Sequence, residues 1–246
     1  MWRPYKGALH NGALRAATAI PRLQPPGGEI PDWFSRFPAD RDALGNADDG
    51  VLKGVGDCVP AARCQVIRLW GGAADRDLAY RLYAMRTGFN PATLTPDNGT
   101  DTLTAMFASC AAPVVDEAGR AWPILWAKVD HKNEAEIERA LAHYPLEITV
   151  QMPAGDLGDD PESWCDRPMT AFRPGTESHR IVLGGRDDAG WRVRTWGMDV
   201  TVHPELFRSM LLAVDVPIPH PDSSPAELVN DGIDYAYLIS AQPQRA

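Results

Sequence analysis

The period of the hydrophobic pattern changes near residue 121, and this change constrains the fold more than any other feature of the chain. Helical spacing is found before it in three segments, residues 58–70, 75–88 and 100–112. Segments that are typical of strands dominate after it, at residues 122–130, 146–153, 178–185 and 191–197. The pattern predicts an α+β fold of two lobes, with a helical part at about 51–120 and a β-rich part at about 121–246.

The second half also contains the clearest hairpin of the chain. Its turn is the sequence "RDDAG", where Asp187 and Asp188 are predicted to be turn residues. A helix over 133–145 is indicated by Asn133 with Glu136 three positions later, which is a capping-box arrangement. The remaining expectations are a solvated polar loop at 154–177, an extended segment at 199–203, a helix at 204–213 and a final strand at 233–240.

Residues 1–50 are predicted to form an extended arm. Its sequence "PRLQPPGGEIPDWFSRFPADRD" is rich in proline, which fixes φ and removes a backbone donor. The arm nevertheless carries large apolar side chains: Trp2, Tyr5, Ile30, Trp33, Phe34 and Phe37. Because disordered tails usually lack such residues, we expect the arm to pack on the domain or on a partner protein.

Charge and cysteine content exclude several classes of protein. The 246 residues carry a formal net charge of −9, which argues against a nucleic-acid partner because phosphate contacts need a basic surface. No apolar run reaches the roughly 18 residues of a membrane span, and no signal peptide is recognisable, so we expect a cytoplasmic protein without a membrane partner. Four cysteines without C-x-x-C spacing indicate neither a disulfide scaffold nor structural zinc, and no cofactor is predicted.

One cysteine opens the first predicted helix. In "GVGDCVPAAR", Cys58 follows a glycine-rich loop, and Pro60 occupies an early helical position where its missing N–H costs nothing. A thiol must become a thiolate to attack a carbonyl, and the positive end of a helix dipole favours the thiolate. Cys58 is therefore either an activated nucleophile or a small residue packed at a helix start, whereas Cys64 and Cys110 are predicted to be buried within helices.

A cysteine nucleophile needs a general base, which is usually a histidine. Of the six histidines, His179 differs because it stands at the start of an apolar strand, where the backbone would hold it firmly. The alternative for His179 is a strand-edge histidine bonded to a backbone carbonyl. The others lie in the arm, beside the charged helix or next to prolines: His10, His131, His143, His203 and His220.

Four motifs in the same order resemble the papain-like cysteine peptidase superfamily. They are "GDCVPAAR", "YRLYAMRTGFNP", "DNGTD" and "SHRIVLGGRDDAGWRVRTWG", and they are particularly similar to a bacterial and phage-borne branch. The resemblance covers about residues 50–240. It implies a papain-like fold with a helical lobe and a second lobe made of an antiparallel sheet or barrel.

The resemblance also implies roles for individual residues. Cys58 would be the nucleophile and His179 its general base. The family orients this histidine with an Asn or Asp, whose place sixteen positions after His179 holds Thr195. Aligning T-W-G with the family's S-W-G puts Arg194 there instead. Apart from the resemblance, Trp196 is expected to be a core or rim aromatic, and near His179 it could shield the site from water.

The oxyanion donor of the family, a Gln or Asn a few residues before the cysteine, has no direct counterpart. Leu52 and Lys53 stand there, and Asn46 would have to fold back to replace it. Backbone N–H groups of the first helical turn are the alternative donors.

Three functions are consistent with these features. The first is a hydrolase that cleaves a peptide, isopeptide or related amide of a peptide or protein substrate through a Cys58 thioester. The second is a papain-fold protein with a degraded site, acting as a structural or interaction component, for example of a phage virion; the aromatic arm and the missing Asn and Gln favour it. The third is acyl transfer of the transglutaminase type on the same Cys/His pair.

Overall fold

A computed structural model of the chain describes residues 8–9, 20–39, 55–154, 173–229 and 232–242. Within these ranges six helices are found: α1 Cys58–Leu69, α2 Arg76–Thr87, α3 Thr102–Ala111, α4 Glu134–Leu141, α5 Pro204–Met210 and α6 Tyr235–Ser240. Single 3-10 turns lie at Trp33–Arg36 and Ala226–Leu228. None of the described helices has the length and apolar character that crossing a bilayer requires.

In the described part of the chain, ten strands form one large and two small sheets. The small sheets pair β1 (Ala8–Leu9) with β2 (Thr100–Asp101), and β3 (Val114–Val115) with β4 (Ala121–Trp122). The large sheet contains β5 Ile124–Val129, β6 Leu146–Pro153, β7 Pro174–Arg186, β8 Trp191–Thr195, β9 Met198–Val202 and β10 Leu211–Pro219. Its order is β5-β10-β6-β7-β8-β9 and all neighbours are antiparallel, so it is an open sheet with β5 and β9 at its edges rather than a closed barrel.

Helix α1 is the central element of the molecule. All of its residues are buried, and it contacts both the neighbouring helix α2 and strand β7 of the large sheet. Most of its residues are small or apolar, as expected for a helix that is buried all round, and the exceptions are Arg63, Gln65 and Arg68. Gly71, with φ of +88°, ends the helix where an L-residue would be strained.

One predicted element near the C-terminus is wrong, and another is shorter than predicted. Residues 233–240, predicted as the final strand, contain helix α6, because Asp234 caps it by accepting a hydrogen bond from the Tyr237 N–H. The helix predicted over 204–213 ends at Met210, and β10 follows directly.

Strand β10 contains two prolines, which usually argue against a central strand. It pairs with β6 only over Leu211–Asp215, whereas Val214–Pro219 pair with β5. Pro217 and Pro219 therefore lie where β10 has a single neighbour, so their missing donors cost no bond to β6.

Residues 20–39 of the predicted arm pack on the domain. Ile20, Leu23, Trp33 and Phe34 are buried in the main core. The Trp33 indole N–H donates to the Leu141 carbonyl at 2.7 Å, which ties the arm to the end of α4. Apart from these residues and 8–9, the predicted arm lies outside the described ranges.

Candidate functional site

The loop before α1 is held by the "DNGTD" motif. The Asp97 carboxylate accepts hydrogen bonds from the Gly56 N–H at 2.9 Å and from the Tyr83 hydroxyl at 2.7 Å. The Tyr83 hydroxyl oxygen in turn accepts a hydrogen bond from the Gly99 N–H, so Tyr83 is held in place as well. This arrangement places Cys58 at the first position of α1, where its side chain is 1% exposed. The motif is visible in the sequence, but nothing in its residues alone indicates that Asp97 holds this loop.

His179 and Thr195 meet on neighbouring strands. His179 lies on β7 and Thr195 ends β8, and His179 Nε2 is 2.8 Å from Thr195 Oγ1. Both side chains are buried. Because Nε2 is occupied by this hydrogen bond, Nδ1 is the ring nitrogen that remains to exchange a proton with a nucleophile.

Trp196 covers the imidazole. Its ring stacks on that of His179, with centroids 4.6 Å apart and planes inclined by 14°. Trp196 and Gly197 both have positive φ and form the two-residue turn between β8 and β9, as in type I′ hairpins. The turn therefore directs the Trp196 side chain onto His179.

Cys58, His179 and Thr195 line the same small pocket, which has a cavity volume of about 20 Å³. The nucleophile, base and orienting residue implied by the resemblance are thus brought together. The other lining residues come from α1, β7 and the β8–β9 turn: Ala61, Ala62, Gln65, Arg180, Ile181, Arg194, Trp196 and Gly197. Gln65 was missed by the sequence analysis, although it lies seven positions after Cys58 and so on the same face of α1.

Burial determines the protonation state of His179. Its side chain is 1% exposed, and burial lowers the pKa of His179 to about 3. The imidazole is consequently neutral at neutral pH. It can accept a proton from a thiol during a reaction without being charged beforehand.

A buried ionic network fixes α1 to the sheet behind the pocket. Arg63 of α1 and Arg180 of β7 both bind Glu147, with N–O distances of 2.6 and 3.1 Å, and Arg180 also binds Asp215 at 2.6 Å. Burial alone raises the pKa of Glu147, but the charges of the two arginines outweigh it and hold that pKa below its usual value. Arg180 lines the pocket and also interacts electrostatically with Cys58.

Arg194, the other candidate for the orienting position, has a different partner. Its guanidinium binds both carboxylate oxygens of Asp199, at 2.5 and 2.9 Å. Thr195 is the residue in hydrogen-bond contact with His179. Asn46, Leu52 and Lys53, which concern the oxyanion donor, lie outside the described residues.

The other cysteines lie elsewhere. Cys64 is buried as predicted, and burial raises the pKa of its thiol strongly. Cys110 is only half-buried, and burial raises the pKa of Cys110 to about 11. Cys165 and the acidic loop around it lie outside the described residues.

The remaining predicted candidates are accounted for locally. Asp187 accepts hydrogen bonds from the N–H groups of Ala189 and Gly190, which is the predicted turn role. Of the other histidines, His131, His143, His203 and His220 do not line the Cys58 pocket, and His10 lies outside the described residues. In the described part of the chain, no cluster of His, Cys, Asp and Glu could hold a metal ion.

Comparison with known proteins supports the fold. The cysteine protease xylellain from Xylella fastidiosa superposes with a TM-score of 0.51 at 12% identity, over 87% of this chain and 94% of that one. A recombinant stem bromelain precursor aligns over 85% of this chain and 80% of its own, with 14% identity and a TM-score of 0.38. No protein-family model and no curated protein matches the sequence. The xylellain match confirms the predicted α+β, papain-like fold.

Proposed function

We propose that this protein is a papain-like cysteine peptidase or related amide hydrolase, of the bacterial and phage-borne branch, in which Cys58 is the nucleophile and His179 the general base. The observation that carries the proposal is the meeting of three side chains in one pocket: Cys58 at a helix start, His179, and Thr195 at 2.8 Å from His179. Its substrate class is a peptide or protein, since these carry the amide bond that such a pair cleaves.

The reaction follows from the positions of the protons. Cys58 Sγ gives its proton to His179 Nδ1 and attacks the carbonyl carbon of the amide. The tetrahedral oxyanion is stabilised by backbone N–H groups at the start of α1. On collapse, the C–N bond breaks and Nδ1–H protonates the leaving amine, which leaves a thioester on Cys58. Water then gives a proton to Nδ1 and attacks the thioester, and Cys58 recovers its proton as the acid product leaves.

Selective alkylation tests whether Cys58 is an activated nucleophile. Iodoacetamide labelling across pH, with each cysteine quantified by mass spectrometry, should modify Cys58 faster than Cys64 and Cys110. The latter two provide internal controls, because burial raises the pKa of both thiols. In a His179→Gln variant the Cys58 rate should fall to that of an ordinary buried thiol. A wild-type Cys58 no faster than Cys110 would contradict the proposal.

Burial favours a second candidate function. Cys58 and His179 are each only 1% exposed, so a substrate reaches the thiol only after neighbouring residues move. The second candidate is accordingly an inactive papain-fold protein serving as a structural or interaction component, with a phage particle as the setting suggested by the sequence. It predicts slow alkylation of Cys58 that His179→Gln does not change.

A partner protein would bind through the arm in this second case. Residues 20–39 are anchored in the core, so deletion of residues 1–19 is the informative change. Light scattering coupled to size exclusion should then show a changed assembly state while the domain stays folded. An unchanged assembly state would count against an interaction role for that segment.

A further inference from the structure

A threonine in the orienting position poses a problem that an asparagine does not. For His179 to act as a base at Nδ1, its Nε2 must carry the proton and donate it to Thr195 Oγ1. Thr195 also has a hydroxyl proton of its own. If that proton points at Nε2, the imidazole proton moves to Nδ1 and the base is lost. The Thr195 hydroxyl therefore needs a separate acceptor.

The pocket that Thr195 lines also includes a candidate acceptor. Gln65 is 5% exposed, and its Oε1 has no hydrogen-bond partner among the described residues. A buried amide oxygen without a partner is costly, so its presence calls for a ligand or water.

The same pocket also holds a matching donor. Arg194 is 1% exposed, and its Nε and Nη2 bind Asp199, whereas its Nη1 has no hydrogen-bond partner among the described residues. Its guanidinium lies over the Phe34 ring at 4.4 Å, which restrains it from turning. An unused acceptor and an unused donor thus line one pocket together with Thr195.

We propose that Gln65 is a positioning residue that sets the tautomer of His179 through Thr195 and one buried water. The water accepts hydrogen bonds from Arg194 Nη1 and from the Thr195 hydroxyl, and it donates to Gln65 Oε1. These three bonds are the usual number for a buried water. Thr195 Oγ1 is then left to accept from Nε2–H, so Nδ1 is free of a proton. This inference rests on the proposed function for its catalytic meaning but not for its hydrogen bonds.

The tautomer can be measured directly in the resting protein. In protein with ¹⁵N-labelled histidine, two-bond ¹H–¹⁵N correlation distinguishes Nε2–H from Nδ1–H, and a His179→Gln spectrum assigns the signal. We expect Nε2–H in the wild type. Gln65→Met, which keeps the length but removes the acceptor, should move the proton wholly or partly to Nδ1. Gln65→Glu, which keeps an acceptor facing Arg194, should retain Nε2–H.

The alkylation rate of Cys58 provides the second readout. Gln65→Met should slow it roughly 10-fold, the lower end of the losses seen when an outer-shell hydrogen bond is removed. In a Thr195→Val background the same substitution should have no further effect, because the chain is already broken at Thr195. An effect of Gln65→Met that adds in full to that of Thr195→Val would overturn the proposal.

Different results would refute the peptidase proposal and the proposed role of Gln65. A wild-type Cys58 that reacts like Cys110, with a tautomer that still responds to Gln65, would refute the peptidase and leave the hydrogen-bond chain intact. A His179 tautomer that is unchanged in Gln65→Met refutes the role of Gln65 whatever the reactivity. If Gln65→Met does not fold, Gln65→Glu and Gln65→Asn provide the comparison, since only the shorter Asn should release the proton to Nδ1.

Discussion

His179 Nε2 and Thr195 Oγ1 lie 2.8 Å apart on neighbouring strands, so the hydroxyl of a threonine contacts the imidazole. We expect Thr195→Val to slow alkylation of Cys58 roughly 10- to 100-fold, because a hydrogen bond to the imidazolium formed with the thiolate contributes about 1.5–3 kcal/mol.

Thr195→Ser is the matched control for this change. It keeps the hydroxyl and should retain most of the wild-type rate, whereas Thr195→Val keeps the shape and loses the hydrogen bond. Equal rates in the two variants would mean that the hydroxyl does not orient His179.

The buried His179 should make stability depend on pH. Burial lowers its pKa in the folded protein to about 3, against 6.5 as the ordinary value. Between these values the unfolded chain binds a proton that the folded protein does not, so the free energy of unfolding falls as the pH is lowered. From pH 7 to pH 5 the wild type should lose about 1 to 2 kcal/mol more than His179→Gln in urea unfolding. The other histidines are common to both proteins, so their contributions cancel in the comparison. An identical dependence of the free energy of unfolding on pH in the two proteins would show that His179 is not held neutral.

The features that could be predicted from sequence are those encoded locally. The cap at Asn133, the "RDDAG" turn and the alternation of apolar and polar residues in β6 each specify their own element. Helix α6 and strand β10 could not be predicted in this way. An apolar run of a few residues fits both the helical and the strand period, and tertiary packing decides which of the two elements forms.

The residues of the site also differ in whether the local sequence indicates them. Cys58 and His179 could be named from motifs, but the choice between Arg194 and Thr195 depended on the β8–β9 register. There Thr195 pairs with Met198 across a two-residue turn. Gln65 carries no local pattern that separates it from any other buried helical residue. Its position is informative only because the fold brings it into the pocket that Thr195 also lines.

The network around Glu147 should dominate the stability of the contact between α1 and the sheet. Glu147→Gln removes the charge that Arg63 and Arg180 share, and leaves buried positive charge without full compensation. We expect a loss of about 3–5 kcal/mol in the free energy of unfolding. Glu117→Gln is the matched control, since its pair with Arg81 is partly exposed and should contribute less than about 1 kcal/mol. Similar losses in both variants, measured by urea unfolding, would contradict a special role for the buried network.

The packing of the arm can be tested at two adjacent glycines. A Cβ at Gly184 would overlap the Phe34 ring, whereas one at Gly185 would meet Arg192 Cβ at an ordinary 3.5 Å. Both lie on β7 and have no positive φ to complicate the comparison. Gly184→Ala should therefore cost about 1–3 kcal/mol by overpacking and loosen residues 20–39, while Gly185→Ala should have little effect.

Urea unfolding and limited proteolysis measure the two consequences separately. The free energy of unfolding reports the overpacking, and the cleavage rate within residues 20–39 reports whether Phe34 has left the core. Restoring space with Phe34→Leu in the Gly184→Ala background should recover part of the loss, because the two side chains compete for the same volume. A Gly184→Ala variant that is as stable and as protease-resistant as Gly185→Ala would mean that Phe34 does not anchor the arm on β7.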